Sequence, residues 1–200
     1  MGSQMIDKRK EYKFVLKNHE LENFLFNIRK KISVLYPTRQ ITSLYYDTYN
    51  FQLYKQSRDI DTNKMKVRVR KYGNENNYFK EIKLNDAHGK TKTIEELNIS
   101  NFDDIKNIFE RNLNLKPTVF TSYTRDYYQY EDVRITVDKS ISFSNHKSRS
   151  LHEKKYFFPD SVVEYKMSNN IPDVEKSFLM NPVAFSKYQE AISKIFNLHL

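Results

Sequence analysis

The stretch that decides the fold is Lys64-Met-Lys-Val-Arg-Val-Arg70. Successive side chains of an extended strand point to opposite faces, so its four basic residues share one face and its three apolar residues share the other. Like charges aligned on one strand repel each other, so water, carboxylates or a polyanion must lie against the basic face. For this strand alone, a solvated face is the simpler interpretation.

The same alternation recurs in residues 9–16, 80–84, 134–138 and 163–167, where charged groups occupy one face and apolar groups lie between them. If these strands belong to one sheet that closes into a barrel, the charged faces point into the lumen and the apolar faces pack outward against helices. The sequence therefore predicts an α+β fold, an eight-stranded antiparallel β-barrel with helices outside and a polar-lined tunnel inside.

Length and charge bound the range of functions. The 200 residues suit one domain over 5–200, and residues 1–4, which precede a second methionine, are interpreted as a cloning remnant. Lys and Arg number 34 against 25 Asp and Glu, a formal charge of +9. Such a balance favours an anionic partner, whether nucleic acid, anionic lipid or a phosphate compound.

Several kinds of site are excluded by composition. The chain has no cysteine and only three glycines, so disulfides, thiolate metal sites and glycine-rich phosphate loops are ruled out. The five histidines lack ligand-like spacing, and any metal is expected to be a hard cation held by oxygen. No apolar run is long enough to span a bilayer, which predicts a cytoplasmic location.

Periodicity and turn signals predict the order of elements. Strands are expected at residues 8–16, 41–47, 64–72, 77–84, 92–97, 119–130, 133–138 and 161–167. Helices are expected at 19–31, 101–112 and 182–196, with a short turn or helix at 50–54 and a polar loop at 144–154.

Eight ordered motifs cover nearly the whole chain: Arg9-x-Glu11-x-Lys13, Ser43-Leu-Tyr-Tyr-Asp47, Lys66-Val-Arg68-Val-Arg70-Lys-Tyr72, Glu81-Ile-Lys83, Tyr123-Thr-Arg125, Arg134-Ile-Thr-Val-Asp138, Val163-Glu164-Tyr-Lys166 and Phe185-Ser186-Lys187-Tyr188. With them the chain resembles the VTC domain, the polyphosphate polymerase domain of the triphosphate tunnel metalloenzyme (CYTH-like) superfamily. The resemblance implies a basic antiparallel tunnel that grips a triphosphate, and a Mn²⁺ or Mg²⁺ ion held by a glutamate.

The resemblance also implies roles for individual residues. Phosphate-contacting positions match Lys13, Arg68, Arg70, Lys83, Arg125 and Lys187, which are the expected catalytic cations, together with Tyr123 and Ser186. Lys66, Arg134 and Lys166 lie on the same charged strand faces and are further candidates for substrate binding. The metal-binding glutamate matches Glu164, and Glu11 and Glu81 are additional candidate ligands.

Two positions depart from the pattern of the superfamily. Arg9 stands where the CYTH branch has a glutamate, which favours binding of a long polyanion over a two-metal hydrolytic site. Ala184 stands where a lysine is expected just before Phe-Ser-Lys, which puts the strength of phosphate binding there in question.

Alternative interpretations stay open for several candidates. Glu11 and Glu81 serve either as metal ligands or as ion-pair partners of tunnel cations. Arg134 and Asp138 form either part of the tunnel lining or an ion pair on one strand face. Lys90 and Lys92 follow a turn and are interpreted as solvated, and the alternative is that one of them reaches the tunnel.

The leading functional hypothesis is a metal-dependent polyphosphate polymerase that uses ATP, with triphosphate and polyphosphate as further ligands. A triphosphate hydrolase and a catalytically silent polyphosphate- or nucleotide-binding module are the alternatives. Nucleic acid is not expected as a partner, because the Phe and Tyr residues mostly alternate away from the charges instead of forming stacking platforms. A membrane protein that receives the chain is a possible partner, and membrane association would then be indirect.

Overall fold

A large antiparallel sheet dominates the computed structural model, which describes residues 3–6, 10–59, 63–73, 75–87, 89–147, 155–167 and 181–198. The strands among these residues are β1 Ser3–Ile6, β2 Lys10–Leu16, β3 Ser33–Asp47, β4 Lys64–Tyr72, β5 Tyr78–Asp86, β6 Gly89–Leu97, β7 Ile108–Glu110, β8 Leu113–Tyr130, β9 Val133–Asn145, β10 Tyr156–Phe157 and β11 Ser161–Met167. The helices are α1 Asn18–Ile28, α2 Gln52–Arg58 and α3 Lys187–Phe196.

The strand order in the sheet is β1-β6-β5-β4-β3-β8-β9-β11-β2, and the short strands β7 and β10 pair with β8 and β9. Every pairing of these strands is antiparallel. The sheet curls, because Glu11 on β2 comes within 4.0 Å of Lys83 on β5, six places away in the order. The α+β, tunnel-type antiparallel fold predicted from the sequence is confirmed.

The alternation in β4 produces the two faces that the sequence predicts. Met65, Val67 and Val69 are buried and pack with Leu44 and Ile82 from the neighbouring strands. The four basic side chains of β4 lie on the opposite, concave face of the sheet. Burial of the apolar face fixes the register, since a slip of one residue would bury the charges.

Helix α1 covers the convex face of strands β9, β11 and β2, which lie next to one another in the sheet. Its buried residues, Leu21, Phe24 and Ile28, recur at helical spacing and pack on Phe14 and Val163 among others. The backbone N–H of Lys17 donates to the Glu20 carboxylate at 2.7 Å, which satisfies one free donor at the start of the helix. None of the described helices is long and apolar enough to cross a bilayer.

Helix α3 instead packs against the same sheet face that carries the charges. Tyr188, Ala191 and Ile192 are buried against Tyr123 and Ile141, among other side chains of β3, β8 and β9. Ser186 is the N-cap residue, and its hydroxyl accepts from the backbone N–H of Gln189 at 3.4 Å. The helix therefore closes one end of the concave face and presents its N-terminus to the interior.

The predicted helix at 101–112 is wrong. The structure has a 3₁₀ turn at Phe102–Asp104 followed by β7, which pairs with β8. Arg111 and Asn112 have φ of 46° and 63° and connect the paired residues Glu110 and Leu113, as in a two-residue hairpin turn of the left-handed kind. Helical spacing of the apolar residues misled the prediction, because strand alternation buries Ile108 and leaves Phe109 exposed.

The other predicted elements differ from those in the structure mainly in where they begin and end. Strands β3, β8 and β9 extend beyond the predicted 41–47, 119–130 and 133–138, and α3 begins at Lys187 instead of residue 182. Ser3 and Gln4, which were excluded from the fold prediction, pair with β6 as part of β1. The predictions for residues 8–9, including the Arg9 departure, and for the loop at 148–154 lie outside the described residues.

Candidate functional site

A polar cavity of about 280 Å³ occupies the concave face of the sheet and is lined from β2, β3, β4, β5, β6, β8, β9, β11 and the start of α3. Ten of its described lining residues are basic: Lys13, Lys66, Arg68, Arg70, Lys83, Lys92, Arg125, Arg134, Lys166 and Lys187. Among the residues that the structure describes, Glu11 and Glu164 alone supply lining carboxylates. This concentration of cations gives the cavity a positive potential that would favour an anion.

Thirteen of the fourteen predicted site residues line this cavity, and they are the basic residues above other than Lys92 together with Glu11, Glu164, Tyr123 and Ser186. Glu81 is the exception and lies behind the lining, 2% exposed. Tyr45, Tyr72, Lys92 and Thr136 also line the cavity but were not among the predicted site residues.

Glu81 is the centre of a buried ion-pair cluster. The Arg68 Nε donates to its Oε2 at 2.8 Å, Lys92 Nζ lies 3.2 Å from its Oε1, and Arg70 Nη1 lies 3.7 Å from its Oε2. Burial opposes ionisation of Glu81, but the three cations outweigh burial and hold the pKa of its carboxyl well below the ordinary value. These contacts favour the ion-pair interpretation of Glu81 over the metal-ligand one.

Arg70 is held rigidly by neutral partners. Its Nε donates to the Ser43 hydroxyl at 3.0 Å and its Nη2 donates to the Tyr123 hydroxyl at 3.1 Å. Arg68 has a similar contact, since its Nη1 donates to the Tyr45 hydroxyl at 2.9 Å. A guanidinium fixed in this way presents its remaining donors to a ligand with little loss of side-chain entropy.

The N-terminus of α3 gathers a second group of cations. Lys66 Nζ donates to the Ser186 hydroxyl at 2.9 Å, and Lys13 Nζ donates to the Phe185 carbonyl at 3.1 Å. Lys187 is the first residue of the helix and also lines the cavity. Free backbone N–H groups and clustered ammonium groups both favour an anion at this position.

Asp138 forms ion pairs with two of the cavity cations, Arg125 and Lys187. Arg125 makes a forked contact with it, Nε to Oδ1 at 2.5 Å and Nη2 to Oδ2 at 2.8 Å, and Lys187 Nζ lies 2.5 Å from Oδ2. Arg134 does not pair with Asp138; its guanidinium lies instead over the rings of Tyr36 and Tyr127, at 5.8 and 5.5 Å from their centres. The geometry thus places Arg134 in the lining and gives Asp138 different partners.

Glu11 and Glu164 face the cavity on the paired strands β2 and β11, with Lys166 between them. The Lys166 Nζ lies 2.5 Å from the Glu11 Oε1 and 3.4 Å from the Glu164 Oε1. Burial opposes ionisation of Glu164, but Lys13, Arg125 and Lys166 outweigh it and lower the pKa of the carboxyl. Both carboxylates are therefore available as anions that attract a cation.

The two cavity carboxylates fit a hard divalent cation that shares its coordination with phosphate and water. Mg²⁺ typically takes one or two carboxylates plus substrate phosphates, and Mn²⁺ prefers the same oxygen ligands. Within the described ranges, no group of three or more Asp, Glu, His or Cys residues could hold a metal without such help. Glu11 and Glu164 are thus the residues that would hold the metal expected from the sequence.

Three lining groups, Lys66, Lys83 and Tyr45, have pKa values shifted to about 8. Burial lowers the pKa values of the Lys66 and Lys83 ammonium groups from the ordinary 10.5 to about 8. Burial opposes ionisation of the Tyr45 phenol, but Arg68 and Arg70 outweigh it and lower its pKa to about 8. Proton uptake by these groups therefore changes the charge of the cavity in the physiological range.

A smaller cavity of about 200 Å³ adjoins the first and shares Glu11, Lys13, Lys66, Lys83 and Lys92 with it. Its further lining includes Lys64 and Lys90. Lys92 therefore lines the main cavity, in contrast to its interpretation as solvated, and Lys90 lies at the adjoining space. Strand alternation is the signal that finds Lys92, since it lies directly opposite Lys83 on β5.

Comparison of the sequence with family models gives one match, to the VTC domain, over residues 8–100 and 85–196. A comparison with curated proteins gave no significant match.

Solved structures share the fold at low sequence identity. A candidate adenylate cyclase from Bacillus halodurans superposes with a TM-score of 0.56 at 15% identity, covering 98% of this chain and 93% of that chain. A candidate adenylate cyclase from Vibrio parahaemolyticus gives 0.57 at 16%, covering 94% and 99%. A candidate adenylyl cyclase from Hippeastrum, in which a triphosphatase activity dominates, gives 0.52 at 13%, covering 94% and 96%.

Proposed function

Because this chain belongs to the VTC domain family, we propose that it is a polyphosphate polymerase that transfers the terminal phosphoryl group of ATP to a growing polyphosphate chain. The observation that supports this most directly is the lining of the main cavity. Ten basic side chains face two carboxylates there, which suits a ligand that carries several negative charges along its length.

The proposed reaction asks for positioning and charge neutralisation more than for covalent catalysis. An oxygen of the terminal phosphate of the acceptor chain attacks the γ-phosphorus of ATP, the bond from that phosphorus to the β–γ bridging oxygen breaks, and ADP leaves. No protein nucleophile is required. The rigid guanidinium groups of Arg68, Arg70 and Arg125 suit contacts to the phosphate oxygens, on which negative charge is spread during transfer.

The lysines complete the neutralisation of the phosphates. Lys13, Lys66 and Lys187 converge at the N-terminus of α3, where free backbone N–H groups also favour an anion. Glu164 and Glu11 would hold a Mn²⁺ or Mg²⁺ ion, which would supply further neutralisation of phosphate charge when bound. Lys83 and Lys166 lie beside the Glu11 carboxylate, at 4.0 and 2.5 Å from its Oε1.

Product analysis tests the proposal. The purified protein is incubated with ATP and either Mn²⁺ or Mg²⁺, and the products are resolved by size and by nucleotide chromatography. Polymerisation gives an acid-labile chain and an equivalent amount of ADP, whereas hydrolysis gives orthophosphate. Release of orthophosphate alone would identify a triphosphate hydrolase, and ligand binding without turnover would identify a binding module.

A further inference from the structure

A separate cavity of about 330 Å³, here called the convex cavity, lies on the convex face of the sheet. Phe120 fixes its position, because this lining side chain packs with the buried convex-face residues Val67 and Val69. The described lining is Tyr78, Asn101, Phe102, Asp103, Phe120, Ser122, Ser142, Ser144, His146 and Lys155, and none of these residues lines the main cavity. The sheet therefore separates the two cavities.

A β-bulge in β9 lies beside the convex cavity. Ser122 of β8 pairs with Ser142 of β9, whereas Thr124 pairs with Lys139. Strand β9 therefore has one residue more than β8 between these two pairs, as in a β-bulge. Ser140 lies within the bulge at a φ of 52°, a left-handed conformation that is unfavourable for residues other than glycine. Strained backbone of this kind clusters at ligand sites, which makes the neighbouring cavity a candidate site.

The bulge reverses the alternation of side chains along β9. Before the bulge, Arg134 and Thr136 line the main cavity on the concave face. After it, Ser142 and Ser144 line the convex cavity, although strict alternation would place all four side chains on one face. The reversal also directs Phe143 into the apolar cluster that includes α3 residues. The extra residue thus places two hydroxyl groups at the convex cavity.

The serine hydroxyls of the convex cavity have hydrogen-bonding capacity left for a ligand. Within the described ranges, Ser142 and Ser144 make no side-chain hydrogen bond, and Ser144 is only 9% exposed. Ser122 makes one, with the Thr42 hydroxyl at 3.1 Å. Because a hydroxyl both donates and accepts, these side chains suit a ligand whose polar edge carries donors and acceptors together.

Four rings form one wall of the convex cavity. Tyr78 and Phe102 meet edge to face with 5.0 Å between ring centres, and Phe102 and Phe120 do so at 5.3 Å. The His146 ring follows, with its centre 6.2 Å from that of Phe120. A wall of aromatic rings favours a flat, unsaturated ring as its ligand, since such rings stack on aromatic side chains.

The charge of the convex cavity differs from that of the main cavity. Its described lining holds one carboxylate, Asp103, and one lysine, Lys155, whereas ten cations face two carboxylates in the main cavity. A multiply charged anion therefore gains little at the convex cavity. Its volume lies within the range of about 300–1,000 Å³ that is usual for small-molecule sites. The cavity suits an uncharged, flat molecule with a polar edge.

We propose that the convex cavity binds a nucleoside, with the base against the wall of rings and its polar edge hydrogen-bonded to Ser142 and Ser144. A base combines a flat ring with donors and acceptors in the plane of that ring, which a saturated sugar ring does not. The ligand needs no phosphate and the site lies across the sheet from the main cavity. The proposal therefore does not rest on the proposed function.

Titration calorimetry with adenosine, guanosine, cytidine and uridine tests the site, because these molecules carry no phosphate that the main cavity would attract. The wild type is compared with Ser142→Ala, Phe120→Leu and the control Thr124→Val. Thr124 is a matched control because it lies on the same face of β8 as Ser122, its hydroxyl donates to the Gln40 Oε1 at 3.1 Å, and it does not line the cavity.

At least one nucleoside is expected to bind the wild type. Ser142→Ala should weaken that nucleoside about fivefold, as for loss of one neutral hydrogen bond, and Phe120→Leu about tenfold, as for loss of a stacking ring. Thr124→Val should leave the affinity unchanged. Saturating tripolyphosphate should also leave it unchanged, because the two cavities lie on opposite faces of the sheet. If Phe120→Leu fails to fold, Ser142→Ala decides, since it removes a hydroxyl without a described partner.

Three results would overturn the proposal. The first is that no nucleoside binds the wild type at millimolar concentration. The second is displacement of the nucleoside by tripolyphosphate, which would place it in the main cavity. The third is an equal loss of affinity in Ser142→Ala and Thr124→Val, which would make the effect of the serine indirect. Absence of polymerase activity in the product analysis would leave all three measurements unchanged, so the two proposals fail independently.

Discussion

At the scale of single residues, Glu81 shows how one carboxylate organises a wall of cations. Arg68, Arg70 and Lys92 all approach it, and both Arg68 and Arg70 then extend to neutral hydroxyl partners on β3 and β8. Because the carboxylate is almost fully buried, its loss would leave three cations close together without a counter-charge. Glu81 is therefore expected to contribute to the stability of the fold more than to the reaction.

Glu81→Gln is predicted to destabilise the protein by about 3–5 kcal/mol, the range for removal of one partner from a buried ion pair. The matched control is Glu95→Gln on the adjacent strand, whose carboxylate pairs with Lys80 at 2.5 Å but is 47% exposed. Such a surface pair should contribute less than about 1 kcal/mol. Chemical denaturation measures both, and similar losses would show that Glu81 is not an ion-pair centre.

The pH dependence of the same variant gives a second check on Glu81. Its pKa is lower in the folded protein than in the unfolded chain, so ionised Glu81 stabilises the fold above the unfolded value of 4.5 and this stabilisation is lost as pH falls. Glu81→Gln should therefore show a weaker loss of stability on acidification than the wild type.

Substitution of Glu164 is predicted to lower turnover far more than it lowers the affinity for ATP. Glu164→Gln should weaken a hard cation and lower turnover by several orders of magnitude, while ATP affinity changes far less because the ten basic residues remain. Steady-state rates across a Mn²⁺ titration and calorimetric ATP binding measure the two effects. A variant with wild-type rate and metal dependence would make Glu164 an ion-pair partner only and would leave Glu11 as the candidate metal ligand.

At the scale of elements, alternation predicted the faces of the strands, whereas helical spacing predicted α1 correctly and residues 101–112 incorrectly. The apolar and basic faces of β4 lie as its sequence predicts, because one face is fully buried. At residues 101–112 the same apolar residues fit a helix and a strand, and the turn at Arg111 and Asn112 decided between them. Short-range periodicity could not show this, since pairing with β8 supplies the stabilising contacts.

Asp47 joins three elements and explains a motif to which the sequence assigned no role. Its carboxylate accepts the backbone N–H groups of Thr48, Leu53 and Tyr54 at 2.7, 2.8 and 3.0 Å, the last two in the first turn of α2. It also accepts the Tyr188 hydroxyl of α3. One side chain at the end of β3 therefore caps α2 and anchors the helix that presents Ser186 and Lys187.

Asp47→Ala is predicted to cost about 3 kcal/mol or more, because buried N–H groups lose their acceptor. It should also weaken triphosphate binding by allowing α3 to shift. Tyr188→Phe removes only one of these hydrogen bonds and should cost about 1 kcal/mol. Thermal denaturation and triphosphate titration of both variants provide the measurement, and equal stability losses would contradict the capping role of Asp47.

At the scale of the whole molecule, the curvature of the sheet creates the site. Residues far apart in sequence, from Glu11 to Lys187, meet at one cavity, and thirteen of the fourteen predicted site residues face it. The sequence predicted which strand faces carry charge but not which charges pair across strands. Glu81 with Lys92 is such a pair and depends on the register of β5 and β6, whereas Asp138 with Lys187 depends on the position of α3.

The charge of this cavity leads to a prediction in which stability and binding change in opposite directions with pH. Between pH 7 and 9, Lys66, Lys83 and Tyr45 lose protons with pKa values of about 8, so the cavity becomes less positive and triphosphate affinity should fall. In the unfolded chain the same groups titrate at 10.5 and 10.0, so above pH 8 the unfolded state binds more protons and the free energy of unfolding should rise. Calorimetric titration and denaturation at constant ionic strength measure the two trends. The Lys66→Met, Lys83→Met, Tyr45→Phe triple variant should flatten both and corrects for ionisation of the triphosphate itself. Wild-type pH dependence in that variant would assign the effect to other groups.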